Sequence, residues 1–215
     1  MWGGGHSFVH SSPLPPYQTD TMSLTLSTKL EAVNEILGAI GEAPVNTLNA
    51  GSGKPIQAVQ AETLLDNTSR EIQAKGWHFN SEKKYSLIRA NDNTITVPSN
   101  TLQVDTEVGK YIDIDVVQRG TTLYDKKNHV NTFTTDLEVD IVFLLEFTEL
   151  PEQFRQWITI RAARKMAARF VGSAEMEVFT LRDELEAKAL AKRSNAKNAD
   201  HTIFDNELST TTLRR

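Results

Sequence analysis

Residues 150–172 read LPEQFRQWITIRAARKMAARFVG, and this stretch decides how the rest of the chain folds. Pro151 suits a first helical turn, where its missing N–H is not needed, and Gly172 suits the position just past the end. At about 100° per residue, Ile160, Ala163, Met166, Ala167, Phe170 and Val171 fall on one arc. Arg155, Arg161, Arg164, Lys165 and Arg169 gather on the other. The spacing predicts a helix with a small-residue packing face and a cationic face. That cationic face is either a solvated surface or a surface that meets acidic neighbours or nucleic acid.

Upstream, Thr28-Lys29-Leu30-Glu31 forms a capping box that starts a first helix. Leu30, Val33, Ile36, Leu37 and Ile40 continue it as an apolar stripe, and Gly41 ends it. After the turn-rich segment NTLNAGSGKP, Pro55 opens a second helix with Ala58, Ala61, Leu64, Leu65, Thr68 and Ile72 inward, closed by Gly76. From Trp77 the period shortens. KKYSLI, NTITVP, TLQVDTEV, YIDIDVVQ, TTLYD and LEVDIVFLLEF are β-branched or alternating runs broken by Asn, Asp, Gly and Pro. In YIDIDV, alternation predicts a strand with Asp113 and Asp115 on its wet face. Arg119-Gly120 predicts a hairpin turn. A last helix begins after Ser173, with Val178, Leu181, Leu185 and Ala189 inward.

Neither helical pair buries its stripe well alone, so the order predicts an α+β fold: a four-helix bundle carrying an inserted antiparallel β-sheet or sandwich. The expected divisions are a flexible arm over 1–25, two bundle helices over 26–76, the β-rich insertion over 77–148, two more helices over 149–198, and a C-terminal tail over 199–215. Trp77, Phe79 and Trp157 are expected to pack where bundle meets sheet.

The chain has 215 residues and a formal net charge of −5, which argues against a nucleic-acid coat. It contains no cysteine, excluding disulfides, thiolate metal sites and cysteine nucleophiles. No apolar stretch approaches the roughly 20 residues that span a bilayer. Convergent chemistry is absent. The five histidines are scattered without an i, i+4 ligand pair, no serine sits in a G-x-S-x-G elbow, and Gly51-Ser52-Gly53-Lys54 lacks phosphate-loop spacing. Asp113 and Asp115 share a face but read as solvent-side strand residues, not as a glycosidase pair. No catalytic residue, metal ligand or cofactor is expected.

Four segments occur together in order: LEAVNEILGAIGEAPVNTL (30–48), EIQAKGWHFN (71–80), Arg119-Gly120 with Tyr124-Asp125, and LPEQFRQWITIRAARKMAARFVGSAEM (150–176). On these the chain resembles the tail tubular protein A family, the gatekeepers or head-to-tail adaptors of short-tailed bacteriophages. The resemblance runs from about residue 26 to about 190 and omits the N-terminal arm. It implies a virion protein made in the host cytoplasm, with about twelve copies closing a ring by heterologous contacts. That ring sits on the portal protein at the portal vertex, presents a platform to the tail nozzle protein (tail tubular protein B type) and to a tail fibre, and lets genomic DNA pass through its lumen without specific binding. A structural role, not an enzyme, follows. The competing expectation is a tail-associated hydrolase acting on host surface polysaccharide.

Within the adaptor expectation, Arg155, Arg161, Arg164, Lys165 and Arg169 are candidate contacts to a neighbouring subunit or the portal. The tail places Ile203, Phe204 and Leu208 among polar residues before Arg214-Arg215. Such a terminus is expected to order on the portal or an adjacent subunit.

Overall fold

A computed structural model describes residues 25–49, 53–107, 109–170 and 174–203, with side chains described for 174–203 only between 181 and 199. The N-terminal arm up to residue 24, Val171 to Ser173, the side chains of Val178 and Ile203, and both Phe204 and Leu208 lie outside these residues.

Helix α1 (Lys29–Gly38) starts as its capping box dictates: Thr28 Oγ1 accepts from Glu31 N–H at 3.2 Å, and Glu31 accepts from Thr28 N–H at 2.7 Å. Gly41, at φ +76°, closes it: Glu42 N–H reaches Leu37 O and Gly41 N–H reaches Gly38 O. Helix α2 (Ile56–Gln73) follows Pro55 and buries Ala58, Ala61, Leu64, Leu65, Thr68 and Ile72, the six positions the spacing selects. Gly76 then turns the chain at φ +69°, where a Cβ would meet Ser81 and Val142 at 3.3 Å, so the turn requires glycine.

Five strands follow: β1 (Ser81–Leu87), β2 (Thr101–Thr106), β3 (Val116–Arg119), β4 (Thr122–Asp125) and β5 (Leu137–Phe143). They form an antiparallel three-stranded sheet in the order β1-β5-β2 and a separate β3-β4 hairpin. The hairpin turns at Gly120, φ +64°, as Arg119-Gly120 predicts. The sheet and hairpin share an apolar core that includes Leu87, Ile95, Val97, Val116, Leu123, Phe133, Leu137, Val139 and Ile141. Two expected strands are shorter than the alternation suggests. NTITVP contributes isolated bridges at Ile95 and Thr96. Residues 111–115 of YIDIDV form a turn-rich loop, with Ile112 80% exposed. The loop's backbone is engaged by side chains instead of a ladder: Ile112 O accepts from Lys127 Nζ, and Asp113 O from Asn128 Nδ2.

Helices resume with α3 (Glu152–Phe170) and α4 (Ala174–Ile203). Pro151 stands just before α3, its carbonyl accepting from Phe154 and Arg155 N–H. All four helices contribute to one apolar core, with α3 touching each of the other three. Contact on so many sides overturns the simple two-faced picture of α3. Phe154, Arg155, Trp157, Ile158, Thr159, Ala162, Met166 and Ala167 are buried, whereas Phe170 is 52% exposed. On α4 the expected inward face is wrong. Glu184, Ala187 and Ala191 face the core, while Leu181, Leu185 and Ala189 are exposed. The helix also runs through Ile203, five residues past the boundary at 198 expected for the tail.

Candidate functional site

The junction between helices and sheet is built from polar side chains that imitate backbone. Gln73, fully buried at the end of α2, accepts from Leu145 N–H at 2.9 Å and donates to Leu145 O at 3.0 Å. Asn80 donates to Gln73 O at 3.0 Å and Phe143 O at 2.8 Å, and its Oδ1 accepts from Trp77 N–H at 2.8 Å. Asn80 thereby finds partners on both crossings between the two parts of the chain, while Gln73 ties the end of α2 to the second crossing. Around this staple the structure brings together Trp77, Phe79 and Trp157, the three rings expected there, and adds Phe154. Trp77 lies 5.0 Å from Phe154 and 5.8 Å from Trp157, edge to face, and Phe79 lies 4.6 Å from Phe154. Such geometry suits aromatic quadrupoles. The β module is thus held to the helices by interlocked rings and amides on two chain crossings.

The cationic residues of α3 are engaged within the fold. Arg155 is 5% exposed: its Nε donates to Leu150 O at 2.8 Å, Nη1 to Ser27 O at 2.8 Å, and Nη2 to Thr148 O. It closes the carbonyls before α3 and ties down the segment ahead of α1. Glu152 completes the clamp by accepting from Ser27 N–H at 3.0 Å and Ser27 Oγ at 2.6 Å. Burial alone would raise the Glu152 carboxyl; those hydrogen bonds outweigh it and hold the group below the usual carboxylate range.

Further along α3, Arg161 and Arg164 converge on Glu184 of α4, whose side chain is 6% exposed, at 2.9 Å and 2.6 Å. Arg161 also reaches Glu71 of α2 at 2.5 Å, and Lys165 reaches the same carboxylate at 2.6 Å. The Lys165 hydrogen bond, with the Arg161 charge, outweighs burial and lowers the Glu71 carboxyl. Arg161, Arg164 and Lys165 therefore fasten α2, α3 and α4 to one another. Sequence periodicity placed them on an outer face because it carried no information on how many neighbours α3 would have. Arg169 is exposed and makes no ion pair among the described residues. Ile203 ends α4.

In the β module, the Arg119-Gly120 and Tyr124-Asp125 pattern is a loop organiser. The Arg119 guanidinium lies 3.4 Å from the Tyr124 ring centroid, a cation–π stack across the hairpin. Asp125, 3% exposed, accepts from the backbone N–H of Asp115, Lys127 and Asn128 and from Asn128 Nδ2. Burial pushes this carboxyl up, but the Asn128 and backbone hydrogen bonds outweigh it and leave it below the ordinary aspartate value. Sequence reasoning did not find the Asp125 role. Its signal was a carboxylate four residues before His129 at the end of a short strand, where bonding to following N–H groups is favourable. Asp113 and Asp115, on the 111–115 loop, pair instead with Lys127 at 2.9 Å and Lys126 at 3.6 Å.

Two surfaces remain. The outer side of α4 presents Leu181 and Leu185, 42% and 56% exposed, and Phe170 at the end of α3 is similarly uncovered. On the β module, an open trough of about 640 Å³ crosses β1, β5 and β2 and reaches β3. Among the described residues no helix is long and apolar enough to cross a membrane.

Comparison with known proteins places this architecture. The family model described as tail tubular protein matches residues 30–201, from α1 to the last turn of α4. The chain is also similar to tail tubular protein A of Klebsiella phage KP34, at 29% identity over 130 residues. That match covers 60% of this chain and 66% of the relative, just short of two thirds of its length. With the family model spanning the helical core and the β module alike, the chain belongs to the tail tubular protein family, whose members are structural components of the phage tail.

Proposed function

We propose that this chain is the head-to-tail adaptor of a short-tailed phage. About twelve copies close into a ring by heterologous contacts between unlike faces. The ring seats on the portal protein, offers its other side to the tail nozzle protein, and surrounds the channel through which genomic DNA leaves. The observation that carries this reading is the family match across residues 30–201. The exposed leucines of α4 add support, because a 30-residue helix with an uncovered apolar flank is suited to lateral packing. The net charge of −5 fits a lumen that does not grip phosphates, since each cationic contact would add salt-dependent affinity.

Of the candidate contacts, Arg169, Ile203, Phe204 and Leu208 remain the residues proposed to meet the portal or an adjacent subunit. Arg155, Arg161, Arg164 and Lys165 are proposed to act indirectly, by fixing α3 against its neighbours. Reversing the charge of Arg161, Arg164 or Lys165 would break Glu71 or Glu184 pairs, and reversing Arg155 would release the carbonyls it holds, so each tests the fold instead of the interface. A cleaner experiment is sedimentation velocity of the intact chain with purified portal particles. The expected result is a discrete complex whose added mass corresponds to one closed ring. Portal particles that sediment unchanged across a saturating range of the chain would overturn the adaptor assignment.

A further inference from the structure

We propose that the trough on the β module is the seat of this chain's own C-terminal segment, residues 208–215, in the unassembled protein. The trough is floored by apolar groups of Leu102, Val104, Val117 and Val142 and carries Asp105 and Asp140. Asp105 and Asp140 are direct cross-strand partners in the β2–β5 register. Like charges so placed repel. Neither makes an ion pair among the described residues: Asp105 accepts from Thr106 N–H at 2.8 Å and Asp140 from Lys84 N–H at 3.3 Å. Glu82 adds a third carboxylate to the lining against the single cation Lys83. The surface therefore carries an excess of negative charge beside an extended apolar strip.

Residues 208–215 read LSTTTLRR, a β-branched run between two leucines that ends in paired arginines. Extended, it sets residues alternately toward and away from a sheet, so Leu213 and Arg215 share one side and bring one leucine to the apolar floor with one arginine beside the carboxylates. Reach favours the same copy. Asn195 of α4 accepts from His78 N–H at 2.8 Å, at the junction between helices and sheet. The trough opens at that same junction, since Gln103 in its lining donates to Ala74 O at 2.9 Å. From Asn195, α4 advances about 12 Å to Ile203 at helical rise. The residues after it span up to about 40 Å when extended, enough to traverse the module.

This inference goes beyond the adaptor reading and is tested on the isolated chain, so failure of one leaves the other standing. The absence of cysteine allows disulfide trapping in the full-length protein. Gln103→Cys with Leu213→Cys is oxidised beside a control carrying Ile88→Cys, an exposed position of the same module, with Leu213→Cys. Denaturation under reducing conditions verifies that each variant folds, and Gln118→Cys replaces Gln103→Cys should that variant fail. The trough pair is expected to crosslink within one chain about tenfold faster than the control, through its higher effective concentration. Adding Asp105→Asn and Asp140→Asn should return the rate to the control. Equal rates for both pairs, a rate indifferent to the two Asn substitutions, or crosslinks formed only between chains would each overturn the seat.

Discussion

Helices α1 and α2 dock on α3 mainly by apolar area, with one ion-pair cluster at Glu71, whereas the described part of α4 docks through a buried carboxylate. The first pair brings Val33, Ile36, Leu37, Leu64, Leu65 and Ile72, all buried, against Phe154, Trp157 and Ile158. From α4 the described contribution to that core is Ala187 and Ala191, and between them and the α3 cations stands Glu184. Burying a leucine or isoleucine contributes about 1.5–3 kcal/mol, and an alanine far less. The first docking is therefore driven by apolar area. Among the described residues of α4 the second depends on geometry, because a buried carboxylate loses its hydration and recovers it only while both guanidiniums stay in place. Two helices on one partner can thus differ in what dislodges them.

The largest expected effect tests the apolar side. Trp157 is fully buried and touches Trp77 and Phe154. Truncation to Ala removes those contacts and leaves a cavity at the meeting point of helices and β module, costing about 3–5 kcal/mol. Urea denaturation followed by far-ultraviolet circular dichroism should show the midpoint fall for the whole helical signal. A loss below about 1 kcal/mol would mean that the core collapses around the gap, and the contrast with α4 would lose its basis.

The second effect is smaller and confined. Glu184→Ala removes the carboxylate that Arg161 and Arg164 share, and among the described residues Arg161 Nε already has no hydrogen-bond partner. We expect a cost of about 2–3 kcal/mol, below the range for a fully buried pair because both arginines keep some solvent contact. Hydrogen exchange should accelerate along α4 while α1 and α2 keep their protection, since local openings follow local contacts. Uniform acceleration across all four helices would show that α4 is an integral part of one cooperative unit, and the comparison would fail.

The same division explains what could be read from the chain. The buried faces of α1 and α2 follow from leucine, isoleucine and valine at helical spacing, and their ends from Thr28, Gly41 and Gly76. The α4 face was missed because it is written as Glu184, Ala187 and Ala191, at i, i+3 and i+7, while the leucines that carry the usual signal face outward. Gln73 and Asn80 were invisible for a related reason. A buried amide that completes a backbone ladder has no periodic signature, although both lie inside the 71–80 segment whose resemblance to the family was apparent. The β module was legible as strands and as a hairpin at Gly120. Residues 111–115 were misread because alternation of Ile and Asp arises equally from a loop whose backbone is held by Lys127 and Asn128.

The smallest effect on stability concerns the outward leucines, and it sharpens the contrast furthest. Replacing Leu181 and Leu185 together by Ser removes no side chain from the core, because both stand half or nearly half exposed in the single chain. Surface changes of this kind shift stability by about 0.5 kcal/mol each, so the urea midpoint should move little. The ring reading predicts a separate loss, because lateral contacts in a heterologous ring need an apolar surface that the monomer does not use. Sedimentation with portal particles should then show a folded chain that no longer closes a ring. Should the double variant unfold, the leucines belong to the monomer's own packing and α4 docks by apolar area after all. Should it stay folded and assemble unchanged, the lateral surface lies elsewhere and the leucine flank has no part in it. Stability and assembly move independently only if α4 carries two faces with two purposes, one written in charge and one in leucine.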